Sequence, residues 1–146
     1  MGKTTFEKEL ERKGTITYTC KGVSMLPLLR QQRDLFTVSK RDGRYKKYDV
    51  VLYRRKDGAY VLHRVIKVLE DSYVILGDNC LNKEYGIQDK DILGIMTSFV
   101  RDGKEYSVEN GAYRMYIKVW VALYPVRYVW KILRGYFCKI FQKISA

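Results

Sequence analysis

A chain of 146 residues that is 47% hydrophobic and 14% aromatic is the size of one ordinary domain and too apolar to be disordered. Its formal net charge of +12 and pI near 9.6 imply attraction to something anionic, whether nucleic acid, an acidic lipid surface or an acidic substrate. Cys20, Cys80 and Cys138 are odd in number and widely spaced, which argues against a disulfide framework or a zinc site and for a reducing compartment.

In chain order, Thr4 to Arg12 reads as a short charged helix, with Thr4 or Thr5 as its N-cap and Gly14 as its stop. The stretch Met1 to Lys13 carries Glu7, Glu9 and Glu11 and has no apolar run, so neither a signal peptide nor a membrane-spanning segment is expected there. From Thr15 the period changes to two. Strands are predicted at Thr15 to Cys20, Asp34 to Ser39, Asp49 to Arg54, Ala59 to Val68, Ser72 to Leu76 and Ile92 to Val100. Asp-Gly turns at Arg41-Asp42-Gly43, Lys56-Asp57-Gly58 and Arg101-Asp102-Gly103-Lys104 separate several of them. No helical pattern long enough for a crossover intervenes, which predicts a mostly β, antiparallel body over residues 14–108, preceded by a helical segment over 1–13.

After Asn110-Gly111 the composition shifts: residues 112–146 hold Arg114, Lys118, Arg127, Lys131, Arg134, Lys139 and Lys143 but no acid. Val126, Trp130, Leu133, Phe137, Ile140, Phe141 and Ile144 share one helical face, and Arg127, Lys131, Arg134, Lys139 and Gln142 the opposite one. This predicts a basic amphipathic helical appendage. Met115 to Val126 is apolar but interrupted by Lys118 and too short to span a bilayer. Two readings stay open. The apolar stripe packs on the β body, or the helix lies in an anionic membrane surface, with Trp120, Arg127, Trp130, Lys131 and Arg134 as the contacting residues.

Three motifs could carry chemistry. Gly22-Val23-Ser24-Met25-Leu26-Pro27 follows a strand and fixes a serine on a corner between a glycine and a proline; such a hydroxyl becomes a nucleophile if a base is placed beside it. The one histidine, His63, sits mid-strand in Val61-Leu62-His63-Arg64-Val65-Ile66, and a neutral imidazole can accept a serine proton. Gly77-Asp78-Asn79 places a carboxylate just past a strand end, where it could orient an imidazole. Taken singly, each also reads as structure: a turn serine, a histidine bonded to a carbonyl, a β-turn.

Together and in this order they resemble the serine peptidases of the type I signal peptidase and self-cleaving SOS repressor superfamily. The resemblance covers about residues 20–96 and rests on Gly-Val-Ser-Met-Leu-Pro-Leu-Leu, Tyr-Asp-Val-Val-Leu-Tyr-Arg, Leu-His-Arg-Val-Ile, Leu-Gly-Asp-Asn and Ile-Leu-Gly-Ile-Met. It looks like the branch with histidine as base. It implies a serine endopeptidase that removes signal or leader segments, with Ser24 as nucleophile, His63 as base and Asp78 as orienting acid. By the same resemblance Gly22, Ser24, Met25 and Pro27 would form the nucleophile turn, with the Ser24 backbone N–H in the oxyanion hole. Glu84 stands near the position of a second acid in that branch. Tyr48 replaces a glycine usual before Asp49.

The resemblance implies no metal and no organic cofactor, and a peptide or protein substrate bound as an extended strand with small residues before the cut. The membrane anchor of signal peptidases has no counterpart in the sequence, so a peripheral membrane or cytoplasmic location is expected, and a cytoplasm-facing form would trim leaders before export. The alternative class is a non-catalytic basic module on the same scaffold, binding an anionic membrane or nucleic acid. Nucleic acid is the less expected partner, because some twenty residues before Ser24 leave no room for a DNA-binding domain.

Overall fold

The computed structural model describes residues 5–145; Thr4, one of the two predicted N-caps, lies outside them. Helix α1 (Phe6–Lys13) starts after Thr5 and ends at Gly14, whose left-handed φ of 73° lets its N–H donate back to the Leu10 carbonyl. Leu10 is its buried residue, placing the charged helix on the body through a narrow apolar side.

Eight strands follow: β1 (Thr15–Thr19), β2 (Leu35–Ser39), β3 (Val50–Arg54), β4 (Tyr60–Val68), β5 (Tyr73–Leu76), β6 (Glu84–Ile87), β7 (Ile92–Arg101) and β8 (Lys104–Ser107). All pair antiparallel in one sheet of order β1-β2-β7-β3-β4-β5-β6, with β8 against β7. The long β7 organises the sheet. Ile95 is flanked by Ser39 on one side and Val51 on the other, and Val100 by Leu35 and Glu105, so β3 and β8 share the side opposite β2.

Strand β3 shows why the sheet is buried on both faces. Val50 and Leu52 enter a core with Ile16, Met25, Phe36 and Met96. Val51 and Tyr53, pointing the other way, enter a second core with Val65, Tyr73 and Ile75. The β7–β8 turn has Asp102 and Gly103 both at positive φ, the geometry of a two-residue hairpin that an Asp-Gly pair suits.

Two strands were not legible as such. β6 is half-exposed at both ends, exposed between, and carries Gly86 at φ 73°, so it shows no alternation. β8 is charged and mostly exposed.

The carboxyl-terminal region is two helices, α2 (Gly111–Ala122) and α3 (Tyr124–Ile144), which makes the architecture mixed α/β rather than mostly β. Asn110 caps α2 by accepting hydrogen bonds from the Ala112 and Tyr113 N–H groups. Ile117 is buried, and Tyr113 and Tyr116 pack against the first core, so α2 is seated on the body. The helices part at Leu123, just before Pro125 in the first turn of α3. Nothing in α3 is buried, so of the two readings left open by the sequence, packing of its apolar stripe on the β body does not occur. Among the described residues no helix is long and apolar enough to cross a membrane.

Candidate functional site

Ser24 lies in the tight segment between β1 and β2, half-buried, just after Gly22 at φ 83°. Met25, Leu28 and Leu29 are buried and pin the segment from below. Its far end is closed by Asp34, whose buried carboxylate accepts the Arg30 N–H at 2.8 Å and the Arg30 guanidinium at 2.6 Å. The Arg101 guanidinium donates to the Pro27 carbonyl at 2.8 Å. A serine on a loop held at this many points keeps one position.

His63 projects from β4 and is 4% exposed. Its Nδ1 lies 3.3 Å from the Tyr53 hydroxyl and 3.4 Å from Glu84 Oε1. Burial lowers its pKa below the ordinary histidine value, against the opposing pull of the Glu84 charge, so the imidazole is neutral at pH 7. Burial pushes the Glu84 carboxyl up, but the hydrogen bonds it accepts from Arg55, one of them at 2.9 Å, and the Arg55 charge outweigh this and leave its pKa lowered. An ionised Glu84 favours the tautomer with the proton on Nδ1, leaving Nε2 as an acceptor.

His63 Nε2 lies beside Gly77. A Cβ built there would lie 2.8 Å from His63 Nε2, 2.9 Å from the Ser24 carbonyl oxygen and 2.7 Å from Cys80 Sγ. The imidazole edge and the Ser24 segment thus converge on one spot that only glycine leaves free. The Asn79 N–H donates to the Ser24 carbonyl at 2.8 Å and its side chain donates to the Val23 carbonyl at 3.1 Å. Ser24, His63, Cys80 and Arg55 line one cleft of about 530 Å³, together with Gly22, Met25, Phe6, Tyr18 and Tyr60. The Ser24 hydroxyl makes no hydrogen bond to the imidazole among the described residues; such contacts often tighten only around bound substrate.

Asp78 is elsewhere. Both of its oxygens are taken by the Arg64 guanidinium, at 2.7 Å each, and the two side chains are 2% and 0% exposed. Arg64 also donates to the Tyr48 carbonyl at 3.0 Å and the Tyr113 hydroxyl at 3.1 Å. Asp78 therefore joins β4, the loop after β5 and α2, and the carboxylate against the imidazole is Glu84. The register explains it. Arg64 pairs with Leu76, so Asp78, two residues further on, falls on the Arg64 side of the sheet, while His63 points the other way. Tyr48, at the glycine position of the resemblance, sits at φ 81°, a region a tyrosine occupies only under strain.

Three of the residues expected at a membrane surface face the protein instead. The Trp120 indole N–H and the Arg127 guanidinium donate to the Asp78 carbonyl at 3.0 and 2.7 Å, and Arg127 stacks over the Trp120 ring at 4.1 Å. The Lys131 ammonium donates to Asn79 Oδ1 at 2.8 Å, and the Tyr124 hydroxyl to the Leu81 carbonyl at 2.6 Å. These four groups hold the loop between β5 and β6 that borders the cleft. Trp130 and Arg134 stay exposed.

Sequence does not point to Arg55, and it contains Tyr53 and Gly77 only as members of motifs, with no role of their own. Tyr53 was findable: His63 pairs with Val51, so Tyr53 is its diagonal neighbour on the same face. Among the described residues no group of three His, Cys, Asp or Glu side chains could hold a metal ion. Comparison of the chain with protein-family models, curated proteins and solved structures gives no match.

Proposed function

We propose that this chain is a serine endopeptidase resembling the signal peptidase and SOS repressor superfamily in fold and in chemistry, with Ser24 as nucleophile and His63 as general base. The observation that carries the reading is the convergence of Ser24 and the accepting edge of a buried, neutral imidazole on one cleft, with an ionised carboxylate behind the ring. In this reading Glu84, braced by Arg55, takes the orienting role that the resemblance gave to Asp78.

His63 Nε2 accepts the Ser24 proton as Oγ bonds to the scissile carbonyl carbon, and the carbonyl electron pair moves onto oxygen. The Ser24 backbone N–H, which donates to no described group, is available to that oxyanion. Collapse breaks the C–N bond, and the imidazolium gives its proton to the leaving amine. Water then attacks the acyl-enzyme, His63 takes its proton, and Ser24 recovers its own as the acid leaves. Through both steps Glu84 holds the Nδ1 proton and stabilises the imidazolium.

Two open sheet edges support an extended substrate. Among the described residues β1 pairs on one side only, with β2. In β4 the stretch Tyr60 to His63 pairs with β3, while β5 begins its pairing at Arg64. Both edges border the cleft, so a peptide can bond to them through its backbone while alternate side chains enter pockets. The test is digestion of an unbiased peptide library read by mass spectrometry. Wild type should cut at a common motif with small residues before the scissile bond, and Ser24→Ala should not cut at all. Equal cutting by the two proteins would end the proposal.

A further inference from the structure

The peptidase reading makes no use of the outer side of α3, and that side is built the wrong way round for an ordinary surface helix. Such a helix turns its apolar stripe inward. Here the half-buried residues are Tyr124, Arg127 and Lys131, one arc of the helix, which bond to the loop after β5. At about 100° per residue, Val126, Leu133, Phe137, Ile140 and Ile144 fall on the far side. They are 64%, 47%, 56%, 37% and 74% exposed, and Trp130 beside them is 66% exposed. Arg134 and Lys143 border this face on either side, and both are exposed.

The charge pattern selects the occupant. From Gly111 to Ala146 there are seven lysines and arginines and no aspartate or glutamate, so the exposed cations of α3 have no acid on their own helix to pair with. The β body cannot cover the face, because the helix is held to it from the opposite side. A second copy would bring two cation-bordered faces together with no acid on either, which opposes pairing. An anionic bilayer surface supplies both missing partners, an apolar phase about as deep as half a helix and a layer of negative charge at its border.

We propose that α3 is a peripheral membrane anchor that lies flat in the surface of a bilayer rich in anionic phospholipid, with its Val126, Leu133, Phe137, Ile140 and Ile144 face in the acyl boundary. A helix of 21 residues gives a contact about 30 Å long, and Arg134, Lys139 and Lys143 reach the headgroups. Arg127 and Lys131 do not touch lipid; they tie the anchor to the Asp78 and Asn79 carbonyl groups, so a docked α3 fixes the cleft beside the membrane. The inference does not depend on the peptidase chemistry and stands if that fails.

The experiment is co-sedimentation of the full chain with vesicles of phosphatidylglycerol and phosphatidylcholine in equal parts, and with vesicles of phosphatidylcholine alone. Wild type should bind the mixed vesicles at least about tenfold more tightly, and added salt should weaken that binding. Phe137→Glu with Ile140→Glu should abolish it. Arg134→Gln with Lys139→Gln and Lys143→Gln should weaken it on the order of a hundredfold. All five positions are exposed, so both variants should keep the wild-type circular dichroism spectrum and melting temperature, which separates lost binding from lost folding. Absence of binding at low salt, equal binding to both vesicle types, or unchanged binding by the glutamate variant would each overturn the proposal. So would a wild-type dimer in sedimentation equilibrium that the glutamate variant dissolves, because the face would then belong to a second copy.

Discussion

Asp78→Asn separates the role that the sequence suggests for this residue from the one that its surroundings give it. The carboxylate meets the Arg64 guanidinium in a two-point bond at 2.7 Å per contact, with side chains 2% and 0% exposed. An asparagine can accept only one of those bonds and brings no charge, leaving a guanidinium in the interior without a counter-ion. Removing one member of such a pair costs about 3–5 kcal/mol, a large share of the roughly 5–15 kcal/mol that holds a domain together. Urea denaturation followed by tyrosine and tryptophan fluorescence should show the midpoint falling by about 2 M at a slope of about 2 kcal/mol/M. Turnover per folded molecule, measured at low temperature without denaturant, should fall less than about tenfold. An unchanged midpoint together with a loss of about a thousandfold in kcat would refute the reasoning and return Asp78 to the imidazole.

Glu84→Gln should do the reverse, lowering kcat/KM by about 10²- to 10⁴-fold through the wrong imidazole tautomer while costing little stability. Burial lowers the His63 pKa, so the acid limb of kcat/KM, which reports the free base, should lie below pH 6.5. The Glu84 charge works against that shift, so any residual activity of Glu84→Gln should have its limb at still lower pH; a limb moving upward would contradict the assignment. Gly77→Ala places a methyl within 3.0 Å of three atoms at the cleft, the Ser24 carbonyl oxygen among them, and should lower kcat by on the order of a hundredfold, as read in the same assay. Tyr48→Gly relieves a φ of 81° and should raise stability by about 0.5–1 kcal/mol in urea titration, after the entropy that glycine adds to the unfolded chain.

Much of the body was readable because its strands obey simple rules. Alternation in Thr15 to Cys20 and Ala59 to Val68, and the Asp102-Gly103 turn, predict elements that the structure contains. β6 was not readable because Gly86 at positive φ and two exposed central residues erase the period-two pattern. At the site, the motifs point to Ser24 and His63, and the structure brings them to one cleft. The motifs point to Asp78 rather than Glu84 because motif order carries no information about sheet faces. The β4–β5 register sends Asp78 to the Arg64 side, and β6, itself invisible in sequence, delivers Glu84 to His63. The carboxyl-terminal helix was legible as a basic amphipathic element, but amphipathicity is a property of the helix alone. Which face meets the body was decided by backbone carbonyl groups at Asp78 and Asn79 that accept from Trp120, Arg127 and Lys131, and no side-chain pattern reveals those.

The proposed chemistry requires His63 to make the Ser24 hydroxyl nucleophilic. Incubation with a serine-directed fluorophosphonate, followed by intact-mass and peptide mapping, tests it most directly. The wild type should carry a single adduct on Ser24, Ser24→Ala none, and labelling should slow by about a hundredfold or more in His63→Ala. An adduct on a different residue, or labelling of His63→Ala at the wild-type rate, would contradict it.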